Sequence, residues 1–296
     1  MNLSLVMLSY TLIGNALYPE GIAYLPSTDT FFVGSAADGS LQTVTNGVAA
    51  SWQAAGTDGR TETLGIKIDE GRDRIWLAGD GAVFVYKLST NVLLKKLPLA
   101  AVVTVENAAL NDIALTADGS AYITDSFNPH LLRVDGASLE MTVFRQLTAI
   151  PYGRQNNFRY NLNGIVPAPD GRSLISVKTN DGTLWRISLF DSSVTQIQLT
   201  EPVTKGDGLV WGPDSHLYVI RNFENRVSRI DMGRGCDSEA RQVNTVEPAN
   251  LNIPTTGVFL AAPPRLVIVN SQFGKEPPSL PFTLSEIPIE VRGLTP

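Results

Sequence analysis

The chain has 296 residues, of which 43% are hydrophobic and 18% charged, with 25 glycines, 18 prolines and a formal net charge of −6. That apolar content at low charge excludes a disordered chain, and Gly and Pro without a short period exclude collagen-like or low-complexity structure. Its densest basic run is the pair Lys95–Lys96, so it lacks the field that neutralises phosphates and nucleic acid is excluded as a partner.

The segment 3–17 is apolar but has no positive charge before it, and Ser, Tyr and Asn interrupt it. It is too short and too broken to span a bilayer. It reads as a β-strand over Leu5–Ile13, with a secreted chain and a trimmed leader as the alternative. One cysteine, Cys236, allows no internal disulfide framework and is compatible with the cytoplasm. It sits in a Gly-rich loop and reads as a bystander.

Beyond this strand the chain repeats. Six copies begin Glu20-Gly21-Ile22, Leu64-Gly65-Ile66, Asn111-Asp112-Ile113, Asn163-Gly164-Ile165, Asp207-Gly208-Leu209 and Thr256-Gly257-Val258, spaced 44 to 52 residues apart. Inside the copies, turns such as Ala117-Asp118-Gly119, Pro169-Asp170-Gly171 and Pro213-Asp214-Ser215 separate alternating apolar runs, a hairpin signal. A third strand follows, with Arg133, Arg186 or Arg229 placed among apolar neighbours as an outward-facing, snorkelling side chain. No stretch sustains a helical period between caps. Six such units predict an all-β fold, a six-bladed β-propeller. The repeats occupy nearly the whole chain, so residues 1–296 read as one domain. The N-terminal strand closes the ring by joining the last blade, which covers two sheet edges.

In a propeller the innermost strands line a central channel. The residues opening the copies then ring one mouth: Glu20, Leu64, Asn111, Asn163, Asp207 and Thr256. Four of these carry carboxylate or amide oxygens, two of them carboxylates, which suits a hard divalent cation. Only His130 and His216 exist, so a three-His zinc site is excluded. A second ring, from the ends of the second strands, reads Ser35, Gly79, Asp125, Lys178, Arg221 and Asn270. It predicts a polar substrate cup. Lys178 and Arg221 are placed to hold a carboxylate or a developing oxyanion, and Asp125 and Asn270 to touch substrate. The competing reading is solvated strand ends beside loops. The loop 150–161 is aromatic and basic and runs into Asn163, so Tyr152, Arg154 and Phe158 are candidate substrate contacts. Asn128, His130 and Gln272 lie in comparable connections. No nucleophile elbow, phosphate loop or dinucleotide fingerprint occurs in a strand-to-helix context.

Pro19-Glu20-Gly21, Asn111-Asp112, Asn163-Gly164-Ile165 with Pro169-Asp170-Gly171, and Gly206-Asp207-Gly208-Leu209 carry a resemblance. In order and spacing they resemble the family of senescence marker protein, gluconolactonase and luciferin-regenerating enzyme. Thr124-Asp125-Ser126 and Val269-Asn270-Ser271-Gln272-Phe273 resemble a bacterial and fungal subgroup of it. The resemblance implies a six-bladed propeller with one catalytic divalent metal in the channel. It implies ligands at Glu20, Asn163 and Asp207, with Asn111 as a fourth ligand or substrate contact, and Asp207 as general base. The chain departs from the family pattern at Ile113, Ala109 and Lys178-Thr179, which points away from a sugar lactone.

The expectation is therefore a metal-dependent hydrolase of a lactone or similar cyclic ester. Ca²⁺ is expected first, with Mg²⁺, Mn²⁺ or Zn²⁺ as alternatives. The residues expected to act are Asp207, Asn111, Lys178 and Arg221. A non-hydrolytic cyclase or isomerase of secondary metabolism and a non-catalytic ligand-binding propeller are the rival readings. The expected partner is a small-molecule substrate, without a membrane, on a cytoplasmic monomer or weak homo-oligomer.

Overall fold

The computed structural model describes residues 8–155, 158–233 and 239–289. Cys236 and residues 5–7 of the expected first strand lie outside them. The described residues form 24 β-strands and five single-turn 3₁₀ segments, with no α-helix, and no helix is long and apolar enough to cross a membrane. β1 (Ser9–Thr11) precedes a first antiparallel sheet of β2 (Pro19–Leu25), β3 (Thr30–Ser35), β4 (Leu41–Thr45) and β5 (Val48–Gln53). The next comprises β6 (Gly65–Asp69), β7 (Arg74–Gly79), β8 (Ala82–Lys87) and β9 (Val92–Pro98), and the third β10 (Leu110–Leu115), β11 (Ala121–Asp125), β12 (His130–Val134) and β13 (Met141–Gln146).

The chain continues through β14 (Leu162–Pro167), β15 (Ser173–Lys178), β16 (Thr183–Ser188) and β17 (Val194–Leu199). Then come β18 (Gly206–Trp211), β19 (His216–Arg221), β20 (Arg226–Asp231) and β21 (Glu239–Val246). These eight strands are hydrogen-bonded as one sheet, ordered β14-β15-β16-β17-β21-β20-β19-β18. The join is a parallel pairing of two outer edges, Gln198 with Glu239 and Leu199 with Ala240. Where six separate sheets were expected, the hydrogen bonding therefore shows four sheets of four strands and one of eight. The last sheet is β22 (Pro254–Ala261), β23 (Pro264–Asn270) and β24 (Thr283–Pro288), with β1 on its outer edge, Ser9 opposite Ser285.

The architecture is an all-β propeller. β2 packs on β6, β6 on β10, and so on through β14, β18 and β22, which returns to β2. Second strands such as β3, β7 and β19 are almost continuously apolar because both of their faces are buried. On β7, Ile75 and Leu77 enter the apolar cluster shared with the first sheet, while Trp76 and Ala78 enter the one shared with the third. The same alternation on β19 sends Leu217 and Val219 one way and Tyr218 and Ile220 the other. The third-strand arginines reach the hairpin turns: Arg186 contacts Asp170 at 2.8 Å and Arg229 contacts Asp214 at 2.6 Å.

Glycine at the copy openings has a steric reason. A Cβ on Gly21 would overlap the Leu64 carbonyl, one on Gly65 the Asn111 carbonyl, and one on Gly164 the Asp207 carbonyl. Those atoms are backbone of the neighbouring innermost strand and cannot swing aside. Gly21→Ala is expected to cost about 1–3 kcal/mol of stability. Gly153→Ala, with nothing within 4 Å of the added atom, should stay within about 0.5 kcal/mol. Urea denaturation of the two variants checks this.

Candidate functional site

Five of the six innermost strands carry a register shift against their neighbour. It falls between Pro19 and Ile22, Leu110 and Ile113, Leu162 and Ile165, Gly206 and Leu209, and Pro254 and Gly257. Such a bulge puts an extra residue into one strand and re-aims its side chain. The first extra residue in each case is Glu20, Asn111, Asn163, Asp207 and Thr255. The equivalent position in the last copy is thus Thr255, one residue before the Thr256 expected from sequence, because Gly257 pairs where Ile22 does. β6 has no shift, so Leu64 opens that copy without a bulge.

Glu20, Leu64, Asn111, Asn163 and Asp207 line one cavity of about 410 Å³, with Glu62, Thr179 and Asn222. A larger cleft of about 690 Å³, beside Tyr218 and Arg229, lies between two sheets and touches none of these residues. Within the cavity Glu20, Asn163 and Asp207 are buried, and Glu20 Oε2, Asn163 Oδ1 and Asp207 Oδ1 each lack a hydrogen-bond partner. The second Asp207 oxygen accepts a bond from Asn222 Nδ2 at 2.8 Å. Buried polar atoms are normally satisfied, so three orphaned oxygens on one cavity wall call for a partner.

The electrostatics agree. Burial pushes the Glu20 carboxyl well above its ordinary range, the charges of Asp207 and Asp112 push it further, and Lys67 opposes them. Burial also raises Asp207, against the hydrogen bond from Asn222. Asp112 does not open to the cavity. Its carboxylate accepts the Ile165 amide at 3.1 Å and the Lys67 ammonium at 2.5 Å, tying neighbouring sheets together. Among the described residues no three His, Cys, Asp or Glu side chains form a metal cluster. A cation here would need the Asn163 oxygen to complete the two carboxylates, an all-oxygen set that fits a hard divalent ion.

The second ring is placed differently from expectation. Asp125, Lys178, Arg221 and Asn270 are buried, but none lines the cavity. Asp125 Oδ1 accepts the amides of Ala109, Phe127 and Asn128. Lys178 Nζ bonds Asn180 and Asp181. The Arg221 guanidinium holds Thr204 and Glu224, and Asn270 Nδ2 donates to Thr283 Oγ1 and Ser285 Oγ. These side chains turn back into their own sheets and cap loops. The cavity is reached one residue later, by Ala36, Thr179 and Asn222, because a step of one residue along extended chain changes the face. The Thr179 hydroxyl is buried and without a partner.

The long loop divides. Phe158 enters the cavity wall together with Tyr160, Phe223 and Phe273. Tyr152 is packed under the loop with its hydroxyl on the Asp125 carbonyl at 3.1 Å. Arg154 lines a neighbouring surface cleft with Tyr152 and Arg159. Asn128, His130 and Gln272 do not line the cavity. Glu62, Asn222 and Phe223 went unread in the sequence. Asn222 follows the second-ring position directly, and Glu62 lies two residues before Leu64, outside the repeat frame.

No family model and no curated protein matches the sequence. Solved structures do. A calcium-binding protein, regucalcin, from Agrobacterium tumefaciens is 18% identical, with 94% of this chain and 93% of that one covered at a TM-score of 0.68. Luciferin-regenerating enzyme is 11% identical over 95% and 94% of the chains at 0.67. Virginiamycin B lyase from Staphylococcus aureus is 13% identical over 97% and 89% at 0.62. At these identities the likeness is one of fold.

Two outcomes follow from the geometry. Asp125→Ala strands one buried and two part-buried amides and should cost about 2 kcal/mol, read by urea denaturation. The folded carboxyls of Glu20 and Asp207 titrate above their unfolded values. The metal-free protein is therefore relieved of their charge below the ordinary carboxylate range and loses stability as pH rises through the raised values. A bound cation removes that penalty, so the gain in Tm on adding Ca²⁺ should grow from pH 5 to pH 8.

Proposed function

We propose that this chain is a divalent-metal-dependent hydrolase of a lactone or similar cyclic ester, a six-bladed member of the senescence marker protein and gluconolactonase family. In this reading the eight-stranded sheet is two blades joined at their rims. One observation carries the proposal: Glu20, Asn163 and Asp207 each leave a buried oxygen unpartnered on the wall of one cavity. The regucalcin neighbour, described as calcium-binding, supports Ca²⁺ as the first ion to test.

Glu20, Asn163 and Asp207 would hold the cation, with Asn111 beside them. When bound, the ion supplies Lewis acidity toward an ester carbonyl. With Oδ1 on the cation, the Asp207 Oδ2 that Asn222 Nδ2 fixes at 2.8 Å would keep a second lone pair to accept a proton from water. Asn111 and Thr179 face the cavity as polar groups for the substrate's oxygens. Lys178 and Arg221, engaged within their own sheets, have no role in this scheme.

A neighbour with the same fold is a lyase, and the same base without water would serve elimination or cyclisation. Turnover of a lactone panel in ¹⁸O-labelled water separates the two, since only hydrolysis puts the label into the product. Glu20→Gln and Asp207→Asn should abolish both Ca²⁺ binding by calorimetry and EDTA-sensitive turnover. If both variants bind Ca²⁺ like the parent chain, the metal reading is wrong.

A further inference from the structure

The cavity wall above the oxygen donors has a composition of its own. Phe158, Tyr160, Phe223 and Phe273 share it with Leu64 and Ala36. The rings are organised: Phe158 lies 5.6 Å from Tyr160 and meets Phe223 edge-to-face at 5.8 Å and 83°. Phe223 is 45% exposed, a large apolar side chain left open at the rim. A polyhydroxylated ring offers these faces only its narrow C–H surface and buries less apolar area against them than an aryl ring does. A flat apolar body would instead stack and release water.

Charge narrows the class further. Glu62 is a third carboxylate on the cavity wall, and among the described residues no Lys, Arg or His lines it. Glu62 Oε1 accepts the Asp80 amide at 3.2 Å, which holds the side chain in place. Lys205 Nζ sits 3.8 Å from the Phe158 ring centroid, and the Arg159 guanidinium carbon 3.8 Å from that of Phe127. These two cations cover ring faces and do not line the cavity. With Glu20 and Asp207 matched by a divalent ion, Glu62 leaves a negative charge facing the substrate.

We propose that the cavity selects a neutral substrate with a flat, aryl-bearing body, an ester or lactone, and that Glu62 rejects carboxylate-bearing analogues. This rests on the hydrolase reading above. The aromatic wall supplies attraction for the body, and Glu62 supplies the repulsion that makes the choice specific.

The test uses the full chain with Ca²⁺ at pH 8. Dihydrocoumarin should exceed glucono-δ-lactone in kcat/KM by about tenfold or more, and phenyl acetate should exceed 4-carboxyphenyl acetate by a similar factor. Glu62→Gln should narrow the second ratio and leave the first. Phe158→Ala and Phe223→Ala should each raise KM for dihydrocoumarin severalfold without changing Ca²⁺ affinity by calorimetry. Equal or better use of glucono-δ-lactone, or of the carboxylated ester, overturns the proposal while the hydrolase reading stands. If the protein binds no Ca²⁺, or turns over nothing, that reading fails instead. Titration of 4-phenyl-2-butanone into the protein then decides this proposal alone: binding weakened severalfold by Phe158→Ala upholds it, and no binding overturns it.

Discussion

The close approach of six innermost strands around one channel is the constraint from which the rest of the structure follows. Backbone of one strand touches backbone of the next, and a side chain of any size at the contact would force them apart. Gly21, Gly65, Gly164 and Gly208 provide that contact at four of the six junctions. The other two junctions use side chains as ties. Asp112 bridges Lys67 and the Ile165 amide, and Thr256 Oγ1, with Thr255 Oγ1, donates to the Glu20 carbonyl at 2.8 Å. The second tie is where the last copy meets the first, and it holds the backbone of a proposed cation ligand.

The same strands carry the chemistry through their bulges. A regular strand would point every second side chain into its own sheet's packing. The extra residue breaks that alternation and turns Glu20, Asn111, Asn163 and Asp207 toward the cavity. Burying two carboxylates near one another works against the fold, because each loses hydration and repels the other. The orphaned oxygens of Glu20, Asn163 and Asp207 stand together on one wall, and a cation is the partner that would satisfy all three. Rigid sheets on every side keep the donors together without one.

Much of this was legible in the residues. Recurring Gly at the copy openings, Asp-Gly hairpin turns and a third-strand Arg gave the propeller and the order of its strands. The first ring was legible because its residue types are costly to bury without a purpose, and because they recur at one position. The second ring was misplaced by one residue. Its charged members, Asp125, Lys178 and Arg221, drew notice for their charge, yet each is consumed in capping a loop of its own sheet. The cavity is lined instead by the residues that follow two of them, Thr179 and Asn222, which look unremarkable in sequence.

The sequence by itself determined the repeat, the all-β character and which acid and amide residues open its copies. These depend on local alternation, turn chemistry and residue type, all of which are written along the chain. Tertiary structure alone decided which face each strand end shows, because a bulge is a mismatch between two strands and neither strand carries it alone. It also decided that Phe158, Tyr160, Phe223 and Phe273 form one wall with Glu62 beside them. Those residues come from four connections, Phe158 and Tyr160 sharing one, whose distances in space are set only when the ring closes.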